Sequence, residues 1–497
     1  MVALLVGGVA TAVAWAWVQA KNDTVGEVDF SSPLAIPPLA ESTLDADGRR
    51  VFELTARDGQ HDFGSGATPT WGFDGDYLGP TLRARRGEQV AITVHNDLDE
   101  TTSMHWHGMR LPAEMDGGPH QPITPGGTWS PTWTIDQPAA TLWYHPHPHG
   151  QTEKHVYRGL AGMFIIDDDE SAALDLPRDY GIDDIPLIVQ DKRLDPAGRL
   201  TESRSFLSDS NLLGETIVVN GTTSPYLDVT TELVRLRLLN GSTARTYDFG
   251  FDDDRTFALI GTDGGLLGAP HPTERIMLSP GERAEIVVAM APGEQTVMRS
   301  YPPDLGTGAL GRFLGGDDSF DVLQLRAAAD LASRSALPER LADITPLDPV
   351  EAAATRSFRL SGRTINGVRM DMNRIDAFVE TGSIEVWEVS NADGAAHNFH
   401  IHDVQFQILS VDGRPPPPEL AGWKDTVFLR PHTPIRLIAR FSEHADSEVP
   451  YMFHCHLLAH EDGGMMGQFL VVDQPAAPAE PVQPSKPPAG VDQHSHG

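Results

Sequence analysis

Three short apolar runs that open alike and end alike constrain this chain more than any other feature in it. Arg86-Gly87-Glu88-Gln89-Val90, Thr231-Glu232-Leu233-Val234-Arg235 and Thr381-Gly382-Ser383-Ile384-Glu385-Val386 each lead into a strand-like stretch, and the stretches end on Asn96, Asn240 and Asn391. The copies lie about 150 residues apart, the length of one domain, so the 497 residues read as three similar units in a row. Gln89–Val94, Gly162–Ile166 and Leu233–Leu239 are rich in β-formers and are bounded by Gly, Pro, Asp and Asn. That spacing predicts an all-β chain of antiparallel sandwiches and argues against βαβ units. The predicted domains span 45–170, 180–330 and 350–473, with linkers near 167–184 and 327–349.

The ends stand outside this scheme. Residues 2–18 are apolar and uncharged, which fits a signal peptide or a short membrane anchor within 1–20, and either implies export to the periplasm, cell surface or medium. Val18-Gln19-Ala20 has the small-residue character of a cleavage site, although no basic leading region or twin arginine precedes it. Residues 21–44, with Pro33, Pro37 and Pro38, read as a tether, and the Pro/Ala-rich 474–497 as a disordered tail. With 37 basic against 70 acidic side chains the chain carries a net charge of −33. That argues against nucleic acid and an anionic lipid surface as partners and allows cations to be steered to the protein, besides keeping it soluble.

The chemistry concentrates in histidine clusters. Cys455 is the only cysteine, so it has neither a disulfide partner nor the companions of a multi-cysteine zinc site. It lies in His454-Cys455-His456, followed by His460 and Met465. A thiolate, two imidazoles and a thioether form the donor set of a blue-copper centre. Neighbours on an extended strand point to opposite faces, so Cys455 serves one site while His454 and His456 serve another. Taken alone, His-Cys-His reads equally well as a core cysteine between two surface histidines. Three further clusters decide against that: His105-Trp106-His107, His145-Pro146-His147 and His397-Asn398-Phe399-His400-Ile401-His402. Paired imidazoles at i and i+2 converge on one side of a strand. The middle unit contributes none of these histidines and reads as a spacer. His149 is left over, and His61, His95, His271, His432 and His444 read as ordinary surface or core residues.

With these four motifs the chain resembles the multicopper oxidases, the family of laccases, cuprous oxidases and ferroxidases built from three Greek-key cupredoxin-like domains. Met115-Asp116-Gly117-Gly118-Pro119, Asp136–Thr141 and Ala421–Thr426 carry the likeness further, toward bacterial exported copper-tolerance oxidases. The resemblance covers roughly 45–473 and implies four copper ions. One, of type 1, would take His397, Cys455, His460 and axial Met465. The type 2 copper would take His105 and His400. A type 3 pair would take His107, His145 and His456 on one ion, and His147, His402 and His454 on the other. It further implies dioxygen as electron acceptor and Asp116 and Glu461 as proton-relay acids, with Asp425 and Asp462 left without a role.

The reducing substrate is less constrained. The relatives the chain resembles often carry a methionine-rich insert, whereas between 171 and 396 this chain has only Met277, Met290, Met298, Met370 and Met372. Ala395 stands two residues before His397, and Asp393 remains as an acidic group. The expectation is therefore a laccase-like oxidase of phenols or aromatic amines, with oxidation of cuprous or ferrous ion as the alternative. A copper-binding storage or chaperone protein, a non-enzymatic structural scaffold and a two-domain nitrite reductase are the rival classes. The complete ligand set and the three-unit length count against them.

Overall fold

The computed structural model describes residues 17–18, 20–203, 212–441 and 443–473. The expected tail at 474–497, and nearly all of the expected signal or anchor segment, lie outside the described residues. No helix among the described residues is long and apolar enough to cross a membrane. The chain is all-β, three sandwiches in series, each built from two sheets: six- and four-stranded, then seven- and six-stranded, then five- and five-stranded. Each sandwich encloses its own apolar core, around Ile92 and Trp106, around Leu236 and Phe249, and around Trp387 and Phe453.

The threefold repeat has a structural cause. In each unit the repeated strand (Gln89–Asn96, Leu233–Asn240, Ile384–Asn391) lies parallel to a long strand from earlier in that unit. Its terminal asparagine then closes the following turn. The Asn96 amide donates to the carbonyls of Glu100 and Ile123 and accepts from Leu98 N–H. Asn240 does the same with Arg245, Leu278 and Ser242, and Asn391 with Ala395, Leu429 and Asp393. A buried turn leaves backbone groups needing partners, and an amide side chain supplies a donor and an acceptor at once.

Residues 21–44 are not a free tether. Asn22 N–H donates to Asp318 at 2.8 Å, Ser32–Pro33 pair in parallel with Pro225–Tyr226, and Ala40 N–H donates to Thr81 O. The prolines do not hold the segment off, because several of its N–H groups find partners along the edge of the middle domain and on the first.

Candidate metal centre

Strand pairing brings the motifs together. His105–His107 is an edge strand beside Ala140–His145, with His105 opposite His145. His397–Ile401 lies beside Tyr451–His454, with His400 opposite His454. Four histidines of the first domain (105, 107, 145, 147) then meet four of the third (400, 402, 454, 456), all buried. The Nε2 atoms of His147 and His402 lie 3.2 and 3.1 Å from Nε2 of His454, and those of His145 and His456 are 3.5 Å apart. His105 stacks on His402 at 3.8 Å and His107 on His400 at 3.7 Å.

Hydrogen bonds on the outer nitrogens fix which atom of each ring faces inward. Nδ1 of His105, His145 and His400 donates to the carbonyls of Asp116, Pro146 and Asp425. Nδ1 of His402 donates to Asp116 Oδ2 at 2.7 Å. His107 is reversed, its Nε2 lying 3.0 Å from Asp425 Oδ1. The inward atoms His105 Nε2, His107 Nδ1 and His400 Nε2 have no partner. Burial, reinforced by neighbouring rings, holds His107, His145, His400 and His402 well below the ordinary histidine range, and lowers His147 to about 4 and His456 to about 3. His454 departs from the pattern: burial lowers it, but Glu461 outweighs burial and raises it. Ring nitrogens converging at 3.1–3.5 Å with their outer nitrogens already engaged call for a cation between them, a shared proton or a metal ion. The donor set fits copper, which imidazole suits.

A second group forms on the other face of the same segment. The Cys455 sulfur lies 3.7 Å from Nδ1 of both His397 and His460, and those two nitrogens are 3.0 Å apart. Burial raises the Cys455 thiol, but bonds from His397 and His460 outweigh it and bring it down to about 5. Burial lowers His397, yet Asp393 and Cys455 raise it to about 9, so the pair is poised as thiolate and imidazolium. Met465 is buried, its N–H donating to His460 O and its carbonyl accepting from Cys455 N–H, which closes the loop on itself. Asp393, weighed as a free cation ligand, instead holds His397 Nε2 at 3.1 Å and accepts from Gly362 and Ala395 N–H. His149 is exposed and outside both groups.

Two acids flank the eight-histidine group. Asp116 is bonded to His402 through Oδ2, while its Oδ1 lies 3.3 Å from His105 Nδ1 without an aligned hydrogen bond. The fully buried Glu461 carboxylate is 3.1 Å from His454 Nδ1 and 3.5 Å from His147 Nδ1, neither aligned as a hydrogen bond. Burial would raise Glu461, but His147 and His454 hold it well below the usual carboxylate range. Asp462, left without a role by sequence, accepts from Thr152 and Glu153 N–H and so ties the third domain to the helix Thr152–Arg158 of the first.

The middle domain is no passive spacer. Its Ser279 Oγ and Pro280 O accept from the amide of Asn398, whose Oδ1 accepts from His456 N–H at 2.6 Å. Thr243 O accepts from Leu458 N–H, and Arg283 grips Asp425. The middle-domain residues among these, Thr243, Ser279, Pro280 and Arg283, belong to no motif, and no local pattern in the sequence marks them.

A sandwich chain that gathers one thiolate–imidazole group and one multi-histidine group, joined through adjacent residues, is a copper-dependent redox protein in class. The chain belongs to the multicopper oxidase family: family models of that description match residues 55–171 and 343–475. It is 36% identical over 451 residues to a multicopper oxidase of Staphylococcus haemolyticus, covering 88% of this chain and 92% of the relative. It is also 36% identical over 448 residues to the cell division protein FtsP of Escherichia coli K12, with the same coverage of both chains. A solved laccase-like multi-copper oxidase, CueO of a lignin-degrading Ochrobactrum, superposes with TM-score 0.81 at 36% identity, covering 88% of this chain and all of that one. A Campylobacter jejuni multicopper oxidase described as a metallo-oxidase gives 0.78 at 26%, covering 91% and 98%.

Proposed function

We propose that this protein is an exported four-copper oxidase that takes single electrons at the Cys455 group and delivers them to dioxygen at the eight-histidine group, with water as product. Copper, when bound, supplies one-electron redox chemistry and a binding place for dioxygen. His397, Cys455, His460 and Met465 would hold one ion, His105 and His400 a second, His107, His145 and His456 a third, and His147, His402 and His454 a fourth. The observation that carries this reading is the position of Cys455 between His454 and His456. The sulfur lies with His397 and His460, and its two neighbours lie with His147, His402 and His145. A few covalent bonds therefore join the electron-accepting group to the oxygen-reducing one.

Reducing dioxygen to water consumes four protons, and carboxylate oxygens of Asp116 and Glu461 that face histidines without an aligned hydrogen bond suit them to pass protons toward those rings. Retention of every histidine, Cys455 and Met465 favours an oxidase over the structural role suggested by relatives named for cell division.

For the substrate, small phenols or aromatic amines fit best. Ala395 offers no soft sulfur beside His397, and Asp393 is already engaged. One observation favours metal-ion oxidation as a second reading. Met370 N–H donates to Gly464 O, which brings the segment Met370-Asp371-Met372 against the Met465 loop. The decisive experiment is oxygen uptake by copper-loaded protein with a methoxyphenol, cuprous ion and ferrous ion in parallel. A turnover confined to the metal ions would reverse the order of the two readings, and no uptake with any donor would end the oxidase assignment.

A further inference from the structure

The densest buried charge outside the histidine groups joins the middle domain to them. Arg283 is fully buried. Its Nε donates to Thr141 O at 3.0 Å, Nη1 to Gly281 O at 3.0 Å and Asp425 Oδ1 at 2.7 Å, and Nη2 to Asp263 O at 3.0 Å and Asp425 Oδ2 at 2.6 Å. All three domains thus meet at one guanidinium. Asp263 also takes Lys424 Nζ at 2.9 Å, and Lys424 reaches Glu282 at 3.0 Å, so Arg283 has a braced partner on both sides. A planar fork of donors holds a carboxylate in one orientation, which a single ammonium does not.

Asp425 uses that orientation on one ring. Its Oδ1 faces His107 Nε2 at 3.0 Å, with Thr426 Oγ1 3.2 Å from the same nitrogen. A carboxylate accepts only, so the His107 proton stays on Nε2 and its lone pair on Nδ1, the atom left without a partner inside the site. His105, His145, His400 and His402 have the opposite polarity, with Nδ1 outward.

We propose that Arg283 of the middle domain is a positioning residue for the metal site, locking Asp425 so that His107 keeps its proton on Nε2 and presents Nδ1 to copper. This rests on the copper reading above. It also gives the middle domain a share in copper affinity, although that domain supplies no ligand.

The test is a chelator titration of copper-loaded protein, following copper per chain together with the blue absorption of the Cys455 group. Arg283→Lys keeps the charge and removes the fork. It is expected to release copper from the eight-histidine group at a roughly 10–100-fold lower chelator concentration, as for the loss of other partners behind metal ligands, with the blue absorption unchanged. Arg245→Lys is the control. Arg245 is equally buried, in the same domain, and paired with Asp191 and Asp318 away from the histidines. It should lose stability but hold copper as wild type does. Should Arg283→Lys not fold, Arg283→Gln with Asp425→Asn removes both charges and leaves no ion unpaired, and the same selective loss is expected. Wild-type titration behaviour in these Arg283 variants overturns the proposal, as does loss of blue absorption in step with the other copper. A wild-type chain that takes up no copper overturns the copper reading as well.

Discussion

Gly281→Ala tests the middle domain's hold on the site by shape rather than by charge. Gly281 has φ +86°, and its N–H donates to Asn240 O at 2.9 Å in the turn that carries Glu282 and Arg283. A Cβ built there would lie 3.1 Å from His456 Nδ1 and 3.2 Å from both His107 Cε1 and His456 Cε1. Two effects add. A left-handed conformation costs alanine about 1–2 kcal/mol. Carbon contacts are optimal only at about 3.5–4.0 Å, so the two rings must also retreat by a few tenths of an ångström. Neither moves freely, because His107 is held by Asp425 and His456 packs against His107 and His145. Metal distances tolerate only about 0.2 Å, so the retreat is large on the scale that matters. Gly293 separates the two effects: it has φ +74° with nothing within 4 Å of its Cβ, so Gly293→Ala carries the backbone cost alone. At about 2–4 °C per kcal/mol for domains of 150–250 residues, Gly293→Ala should lower the melting temperature by about 2–8 °C and leave copper content unchanged. Gly281→Ala should melt at least as low and lose copper from the eight-histidine group. Thermal unfolding with metal analysis of the loaded proteins checks both. A Gly281→Ala protein that melts with Gly293→Ala and holds wild-type copper would refute the claim that this turn shapes the site.

Three further outcomes are expected. Cys455→Ser should remove the blue absorption and turnover while the eight-histidine group still takes up copper; metal analysis that finds zinc in active wild-type protein would contradict the donor argument. Asp116→Asn and Glu461→Gln should each slow oxygen uptake about 10²-fold or more at unchanged copper content, and wild-type rates across the pH profile in both would return these acids to purely structural roles. Phenol oxidation should need no copper beyond the loaded ions, whereas oxidation of cuprous or ferrous ion should be slower and fall with salt, because a net charge of −33 attracts cations only through screened fields; phenol turnover that depends on excess copper would point to a further ion.

What was legible in the sequence was whatever has a period. The Asn96, Asn240 and Asn391 copies announced three sandwiches because the same turn is closed by the same amide three times. The i, i+2 histidines could be read because strand alternation fixes their facing. Arg283 could not be read, since nothing in Gly281-Glu282-Arg283-Ala284 says that this arginine lies inside rather than in water. Its burial comes from the docking of three domains, a long-range event with no local mark. The tether failed for a related reason: proline-rich composition suggested an unpaired segment, yet Ser32–Pro33 add to the edge of the middle domain through backbone groups that composition does not register. Asp462 was ambiguous because one carboxylate serves equally as a solvated loop group or as the acceptor for Thr152 and Glu153 N–H.

The seam between the first and third domains is also where such a site is cheapest to build. Eight imidazoles with converging ring nitrogens would burden the core of any single sandwich, where buried polar groups must be matched as the chain folds. Divided four and four between two domains, the load on each sandwich is halved, and His105–His107 lies on an edge strand. His105, His145 and His400 find acceptors within their own domains, the carbonyls of Asp116, Pro146 and Asp425, so the orientation of these rings is set before the two sets face each other. His402 and His107 take their acceptors from across the seam, from Asp116 and Asp425, and Asp425 is in turn held by an arginine of the middle domain. The middle domain is therefore required at the point where the local devices of the other two run out.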